Sequence, residues 1–360
     1  MACNRPDYLE RTIQSVLKYH SEVASKFPLF ISQDGTNEDV KSKALSYSQI
    51  KYLQVIDIAS TMAAYFLFSI DFLLFIKHLD FRPVQTDRPG ELIAYYKIAN
   101  HYKWALDELF FKHNFSRVII LEDDMEIAPD FFDYFEAAAT LLDNDKTIMA
   151  VSSWNDNGQV QFVHDSNILY RSDFFPGLGW MLTKITWDEL SPKWPKAYPF
   201  ISTELVDGIH YMASVYDENS RLNNLHLMRE RSLIGSSMGQ FFRQYLEPIK
   251  LNDVHVNWKS MDLSYLSEDN FRKYFAKLVS DAKPVHGPDL VLKTKNVDGD
   301  VRVLYDDQSD FDRIARQFGI FEEWKDGVPR TAYKGVVVFR FQTQRRVFLV
   351  APESLRQLGI

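Results

Sequence analysis

Three consecutive carboxylates, Glu122, Asp123 and Asp124, directly follow the apolar run 118–121. The run predicts a buried strand, so the acids stand where that strand ends. Adjacent anions repel each other and are costly to desolvate, unless a cation neutralises them. Hard divalent ions such as Mg²⁺ and Mn²⁺ bind carboxylate oxygens and keep positions open for water and phosphate. The cluster is therefore a candidate metal–diphosphate site, and the alternative is a solvated turn with helix-capping acids, as we expect of Asp130.

Strands and helices alternate around this cluster over the first two-thirds of the chain. Helices are expected at 5–20, 90–113 and 129–145, and strands at 27–35, 117–123 and 147–156. This alternation predicts an α/β fold with a parallel sheet covered on both faces. Ligands bind at the carboxyl ends of the strands in such sheets. Polar clusters follow three of the predicted strands, at 33–34, 122–124 and 155–157, and so point to an active site.

The strand expected before the first helix is missing, because the chain opens on the loop that leads into that helix. A parallel sheet without one inner strand loses a row of hydrogen bonds. This pattern suggests a truncated start, and we find no signal peptide at the N-terminus.

Composition excludes several function classes. The 360 residues carry a net charge of -8 without a long block of Lys or Arg, so nucleic acid and anionic membrane surfaces are poor partners. The single cysteine, Cys3, excludes an internal disulfide and a Cys-based zinc site. The apolar stretch 55–77 is long enough for a membrane span. However, Asp57 and Asp71 would each cost roughly 2.5–3.5 kcal/mol near the bilayer centre, so we predict that this stretch does not span.

The pattern changes after about residue 250. A strand at 300–307, a helix at 311–324 and a hairpin formed by 335–342 and 345–352 are expected there. We therefore predict a smaller α+β domain over 250–360, a linker over 235–249 and a nucleotide-binding domain over 1–234. Within the first domain, 55–77 and 199–234 are atypical segments.

A family resemblance rests on seven motifs that occur in the family's order. They are EDDMEIAPDFFDYF, VSSWNDNGQ, LYRSDFFPGLGW, ELSPKWPKAY, GQFF, IKLND and MDLSYL. The chain resembles the N-acetylglucosaminyltransferase I family, the β-1,2-GlcNAc-transferases of N-glycan processing, in its plant-like form. The resemblance covers most of 1–54, 78–198 and 235–360.

The resemblance implies an inverting glycosyltransferase with a Rossmann-like domain of the GT-A type. It implies Mn²⁺-dependent binding of UDP-GlcNAc and transfer to the α-1,3-linked mannose of a high-mannose N-glycan, the step that starts hybrid and complex glycans. It also implies the lumenal side of the Golgi membrane, reached through a signal-anchor that we expect to be missing from this chain.

Six residues match the family's site motifs. The resemblance implies that four residues contact the donor UDP-GlcNAc: Arg5 contacts the UDP moiety, Asp34 contacts the uracil, and His101 and Asp123 also bind the donor. It further implies that Asp124 is the direct metal ligand. Ser237 is implied to lie in the loop that closes over the donor. Arg5 offers a planar fork to phosphate oxygens, and Mn²⁺ would offset the charge that grows on the leaving UDP. Each residue alone also fits an ordinary surface, turn or capping role, and their joint order favours the functional one.

The family pattern fails in two segments. Residues 55–77 form an insert, and 199–234 replace the Trp-Asp-Asp-Trp motif that supplies the family's catalytic base. Glu204 and Asp207 are nearby carboxylates that we expect to be surface-loop acids, so no catalytic residue is assigned. Gly35 also stands where animal members have a cysteine that pairs with the position of Cys3. An incomplete or misassembled gene product, or a spliced form, would explain these departures.

Two alternatives stay open. The first is a catalytically impaired UDP-sugar-binding homologue without the acceptor-side base. The second is a protein O-mannose β-1,2-GlcNAc-transferase, which is disfavoured because its equivalent acidic turn reads Glu-Glu-Asp. The sequon Asn114–Phe115–Ser116 is weak support for a lumenal location.

Overall fold

The computed structural model describes residues 1–53, 93–158, 162, 165, 167–175, 177–194, 225–229, 234–236, 255–293, 299–325, 327–342 and 344–360. Structural statements below concern these residues. The insert 55–77, most of 199–234 with Glu204 and Asp207, and the linker from Ser237 to residue 249 lie outside them. The predictions made for those segments and residues therefore stay predictions.

The first helix and the first strand form as the sequence predicts, whereas the helix and the strand that follow them were not predicted. Helix α1 (Pro6–His20) begins with proline at its first position, where the missing N–H costs no helical hydrogen bond. Strand β1 (Leu29–Ser32) is followed by α2 (Glu38–Leu45) and β2 (Ile50–Leu53), and β1 and β2 pair in parallel. Asn37 caps α2, because its side chain accepts a hydrogen bond of 2.9 Å from the backbone N–H of Val40.

The central elements follow the undescribed segment 54–92. In chain order they are α3 (Ile93–Asp107), which continues as a π-helical turn Glu108–Lys112, β3 (Arg117–Ile120), β4 (Met125–Ile127), α4 (Phe131–Asn144), β5 (Ile148–Ser152), β6 (Leu169–Ser172), β7 (Trp180–Thr183), α5 (Lys184–Leu190), β8 (Leu225–Arg229) and β9 (Ile234–Ser236). The predicted helices at 90–113 and 129–145 and the predicted strands at 117–123 and 147–156 are all confirmed, with shifted ends.

The expectation of a wholly parallel sheet is wrong. The five-stranded sheet has the order β3-β7-β5-β8-β6, and only β5 and β8 pair in parallel. The expectation assumed a crossover helix between successive strands, because parallel pairs need one. Strand β7, which the sequence analysis missed, instead follows a short segment with positive φ at Gly177 and Gly179. Strand β8 belongs to the atypical segment 199–234, so this part of the segment is built into the sheet.

The carboxyl-terminal part forms a separate four-stranded sheet. Its elements in chain order are α6 (Glu268–Asp281), β10 (Lys283–Val285), α7 (Asp289–Lys293), β11 (Val301–Leu304), α8 (Gln308–Phe318), β12 (Trp324–Lys325), β13 (Val328–Pro329), β14 (Val337–Arg340), β15 (Arg346–Val350) and α9 (Pro352–Leu358). The sheet order is β10-β11-β15-β14, and the predicted hairpin is confirmed by the antiparallel pairing of β14 with β15.

One apolar cluster joins the central and carboxyl-terminal parts. Phe131 and Phe135 of α4 belong to the same buried cluster as Trp258, Phe271 and Phe275. The domain boundary predicted at 235–249 stays a prediction, and side chains on both sides of it share this core. Among the described helices, none is both long and apolar enough to cross a membrane.

Candidate active site

Arg5 and the acidic turn after β3 are in direct contact. Arg5 lies at the N-cap of α1, and its Nη1 donates a hydrogen bond of 3.1 Å to Oδ2 of Asp124. Its Nη2 donates to Oδ1 of Asp123. The side chains of Asp123 and Asp124 are 4% and 1% exposed, whereas that of Arg5 is 40% exposed. One half-exposed cation therefore faces two buried carboxylates that are 118 and 119 residues away in the chain.

Burial dominates the electrostatics of this turn. It raises the pKa of Asp124 above its ordinary value, and the charge of Arg5 opposes the rise. Burial together with the charge of Asp124 raises the pKa of Glu122 to about 7. The Tyr102 hydroxyl donates a hydrogen bond of 3.2 Å to Glu122, which opposes that rise. The three acids thus differ in their partners. Asp123 and Asp124 both bind Arg5, whereas Glu122 binds Tyr102 and has a pKa of about 7.

Two further predicted site residues, His101 and Asp34, lie near the end of β1. The imidazole Nε2 of His101 on α3 lies 2.8 Å from the hydroxyl of Ser32, the last residue of β1, and both side chains are buried. Asp34 follows two residues later, and its backbone N–H donates a hydrogen bond of 2.8 Å to the carbonyl of Ala2. The imidazole of His101 also stacks against Trp104, with ring centroids 6.3 Å apart.

Cys3 connects these two groups. Burial raises the pKa of its thiol, and the charges of Asp34 and Asp123 raise it further. Both carboxylates are therefore close enough to act on the same side chain, although one follows β1 and the other follows β3. The charge of Arg5 acts on the same thiol, so Arg5, Asp34 and Asp123 all lie in the neighbourhood of Cys3.

Ser237 lies outside the described residues, but the strand before it is described. Strand β9 pairs antiparallel with β4, so that Ser236 lies opposite Met125. Met125 follows Asp124 directly. The backbone that leads to Ser237 therefore starts beside the acidic turn.

The third predicted polar cluster, at 155–157, serves a different purpose. Asp156 is buried and accepts hydrogen bonds from Trp154 Nε1 at 2.9 Å and from Arg330 Nη1 at 3.1 Å. The side-chain amide of Asn157 donates to the hydroxyl of Thr331 at 3.0 Å. The expectation that this cluster belongs to the active site is not supported by these contacts, because they fasten the end of β5 to residues 330–331.

The carboxylates of the acidic turn suit one class of divalent-ion site. In the described part of the chain, no three His, Cys, Asp or Glu side chains converge as they would around a metal ion. A Mg²⁺- or Mn²⁺-type ion is commonly held by one or two carboxylates while substrate phosphates and water supply the rest. The two buried carboxylates of Asp123 and Asp124 fit that class of site, and they do not fit a site made of protein ligands alone.

The sequence analysis missed two residues of the site. Ser32 orients His101, and Tyr102 binds Glu122. Ser32 precedes the polar pair at 33–34, and Tyr102 adjoins His101. Their positions next to matched residues were the one feature of the sequence that could have indicated a role in the site. The contacts themselves join residues 69 and 20 positions apart, which no local pattern reveals.

Comparison with known proteins supports the family resemblance. The model of the GNT-I family matches residues 1–65 and 64–360. The two matched stretches meet inside the predicted insert 55–77. The alpha-1,3-mannosyl-glycoprotein 2-beta-N-acetylglucosaminyltransferase of Arabidopsis thaliana is 64% identical over 360 residues, which are 100% of this chain and 74% of that protein.

Proposed function

Because the chain belongs to the GNT-I family and is a glycosyltransferase, we propose that it moves N-acetylglucosamine from UDP-GlcNAc, in β-1,2 linkage, to the α-1,3-linked mannose of a high-mannose N-glycan. The name of the Arabidopsis relative states a mannosyl-glycoprotein acceptor and an N-acetylglucosaminyl group. It favours this reaction over protein O-mannose transfer.

The contact of Arg5 with Asp123 and Asp124 carries the donor part of the proposal. Arg5 is half-exposed, so its guanidinium can also donate to the oxygens of a bound diphosphate. Two buried anions beside one such cation leave negative charge that a divalent ion would neutralise. Asp124 would hold Mn²⁺, and the ion would place positive charge beside the diphosphate.

The end of β1 would receive the nucleoside. Asp34 is half-buried, and its carboxylate can accept a hydrogen bond from the N3–H group of the uracil ring. The buried His101 is fixed by Ser32 at 2.8 Å, so its position beside this ring is preorganised. We place Ser237 in the loop that covers the donor, since β9 brings the chain beside Asp124.

We further propose that the nucleotide-sugar domain is of the GT-A type. We also propose that the protein is located in the Golgi lumen. The mixed α/β architecture and the site at the carboxyl ends of β1 and β3 support the domain type. The exposed Asn114, which begins a glycosylation sequon, supports the lumenal location.

A transfer assay tests the reaction, with UDP-GlcNAc, Mn²⁺ and a high-mannose acceptor. The family's base motif has no match in this chain, and general-base catalysis typically contributes 10²–10⁴-fold. We therefore expect donor binding together with transfer at least about 100-fold slower than in a full family member. Replacing 199–224 by the family's Trp-Asp-Asp-Trp segment, which leaves β8 in the sheet, should restore the rate and change donor affinity little.

Each outcome has a distinct meaning. Binding without any transfer in either form of the chain would favour the second candidate, a UDP-sugar-binding homologue. Full-rate transfer by the unaltered chain would show that a carboxylate within 199–234 acts as the base. Absence of Mn²⁺-dependent UDP binding would contradict the proposal at the donor site.

A further inference from the structure

A single glycosylation sequon lies in the turn between the π-helical end of α3 and β3. Asn114–Phe115–Ser116 is the one Asn-X-Ser/Thr triplet in the whole sequence. Asn114 and Ser116 are both exposed, so the amide that accepts a glycan and the hydroxyl that completes the sequon lie at the surface. The folded chain therefore has room for a bulky group on Asn114.

The turn holds Asn114 at its tip. Asn114 has a left-handed backbone with a φ of 55°, a conformation that glycine and asparagine adopt most readily at a helix end. The N–H of Phe115 donates to the carbonyl of Leu109 at 3.2 Å, which closes the helix end. On either side of Asn114, the rings of His113 and Phe115 pack against Phe30, with centroids 5.4 and 5.5 Å from its own. The two neighbours are thus anchored, and the exposed side chain between them is not.

Apolar surface lies beside the sequon. Phe111, three residues before Asn114, is 49% exposed. The ammonium of Lys184 lies 5.1 Å from the centroid of the Phe111 ring and is bound to Asp188 at 2.7 Å. The backbone N–H of Lys184 also donates to the carbonyl of Ser116 at 2.8 Å, so the sequon and the ring contact the same residue. Water therefore covers half of a large aromatic side chain next to a possible attachment point.

We propose that Asn114 carries an N-linked glycan whose first sugar packs against the exposed ring of Phe111. Residues three positions apart at a helix end are neighbours on its surface. The first sugar of such a glycan is N-acetylglucosamine, whose ring has C–H groups that gain free energy when they cover an aromatic face. The rest of the glycan holds a solubilising group over the same surface.

The attachment is a transfer from a lipid diphosphate-linked oligosaccharide. The amide nitrogen of Asn114 forms a bond to C1 of the first sugar, and the bond between that carbon and the phosphate oxygen breaks. The amide loses one proton, and the lipid diphosphate leaves. In the cell this step rests on the lumenal location proposed above, because the oligosaccharide donor is used in the lumen of the endoplasmic reticulum.

Expression behind a cleavable signal peptide removes that dependence. The full chain is directed into the endoplasmic reticulum of cultured eukaryotic cells, and its glycans are kept in the high-mannose form by a mannosidase inhibitor. We expect peptide-N-glycosidase to shift its electrophoretic mobility by one glycan and to convert Asn114 to aspartate, as read by mass spectrometry. Ser116→Ala keeps Asn114 and should lose the shift. Asn114→Gly keeps the left-handed turn and should lose it as well.

The outcomes separate the site from the location. A chain that enters the lumen without a glycan on Asn114 would overturn the proposal. Occupancy behind the signal peptide, together with an unmodified protein in its own cells, would support the site and contradict the lumenal location. Neither measurement uses donor binding or transfer, so the result is independent of the proposed reaction.

Thermal unfolding tests the contact with Phe111. An endoglycosidase that leaves one N-acetylglucosamine on Asn114 isolates the first sugar. We expect this trimmed protein to melt at least about 2 °C above Ser116→Ala, which has no sugar. In the Phe111→Ala background the difference should disappear, whereas it should persist in Ile185→Ala, which removes a different exposed apolar side chain beside Lys184. An equal difference in all three backgrounds would overturn the packing of the sugar on Phe111.

Discussion

Two arginine–carboxylate clusters include residues that follow β3 and β5, and they differ in which of their charged groups is buried. Around Arg5 the cation is at the surface and the two anions are buried. Around Arg330 the cation is buried, with 4% of its side chain exposed, and one of its anions, Glu323, is 43% exposed. Among the ion pairs of the described residues, each arginine contacts two carboxylates. The clusters differ in which charges are in contact with water.

The difference decides what each cluster can do. The excess negative charge beside Arg330 is on the exposed Glu323, where water solvates it cheaply. Arg330 itself is fixed by Asp156 and lies over the rings of Phe174 and Phe321, at 5.1 and 5.3 Å. This cluster stabilises the fold and has no need of a further ion.

The excess negative charge beside Arg5 is on buried carboxylates, and burial makes it costly. A bound divalent ion would remove that cost, and an exposed guanidinium can turn to a phosphate. The acidic turn after β3 therefore suits ligand binding, whereas the polar cluster after β5 suits structural support. In the sequence the two clusters have the same pattern, because polar residues directly follow a predicted strand in both.

The largest expected effect concerns stability at the buried cluster. Asp156→Ala removes the buried acidic partner of the buried Arg330, so we expect the free energy of unfolding to fall by about 3 kcal/mol. Urea denaturation measures this change. Glu323→Ala removes the exposed partner and should cost about 1 kcal/mol or less. Equal losses in the two variants would contradict the view that the buried partner carries the interaction.

The next effect concerns ligand binding at the open cluster. Asp124→Asn keeps the shape of the side chain and removes its charge, so we expect Mn²⁺-dependent UDP affinity to fall at least about 100-fold, or about 2.7 kcal/mol. Calorimetry with and without Mn²⁺ measures it. Asp156→Asn is the matched control and should bind UDP with unchanged affinity. Undiminished affinity in Asp124→Asn would remove Asp124 from the metal site.

Local patterns predicted the parts of the fold that depend on local interactions. The spacing of Leu9, Ile13 and Val16 predicted α1, and the apolar run before Glu122 predicted β3. The hairpin of β14 and β15 followed from two apolar runs separated by a short polar turn. Motif matching placed Arg5, Asp123 and Asp124 in one site, and the structure brings these three residues into contact.

The remaining features depend on contacts between distant parts of the chain. Arg330 binds Asp156 across 174 positions, and no spacing rule connects them. The sheet order was missed because β7 enters between β3 and β5, although it follows both in the chain. Strand pairing of this kind is decided by packing of the whole core, which a single sequence does not reveal.

A smaller effect is expected in the pH dependence of stability. The pKa of Glu122 is raised to about 7, so the folded protein holds a proton that the unfolded chain releases at lower pH. The resulting stability is fully present below about pH 4.5 and is lost as pH rises through about 7. The slope reaches at most about 1.4 kcal/mol per pH unit.

Glu122→Gln removes this titration and keeps an acceptor for the Tyr102 hydroxyl. Unfolding measured in the presence of a chelator should show a flatter pH profile between pH 5 and about 7 for the variant than for the parent chain. Ser153→Ala changes no titratable group and should keep the slope of the parent. Identical profiles for Glu122→Gln and the parent would show that Glu122 does not hold the proton.

The smallest effect tests whether the end of β1 is a binding edge or a structural contact. Ser32→Ala removes the hydroxyl that lies 2.8 Å from His101 Nε2, so the imidazole loses this hydrogen bond. One such hydrogen bond contributes about 0.5–1.5 kcal/mol, which predicts a 2- to about 10-fold weaker affinity for UDP-GlcNAc. Ser153→Ala is the control, because its hydroxyl donates a comparable hydrogen bond of 2.6 Å to Gly179 beside the structural cluster. Ser153→Ala should lower the free energy of unfolding by about as much as Ser32→Ala does, and it should leave the affinity for UDP-GlcNAc unchanged. Two outcomes would separate Ser32 from the donor site: unchanged affinity in Ser32→Ala, or equal weakening in both variants. Either result would restrict the binding surface to the acidic turn after β3.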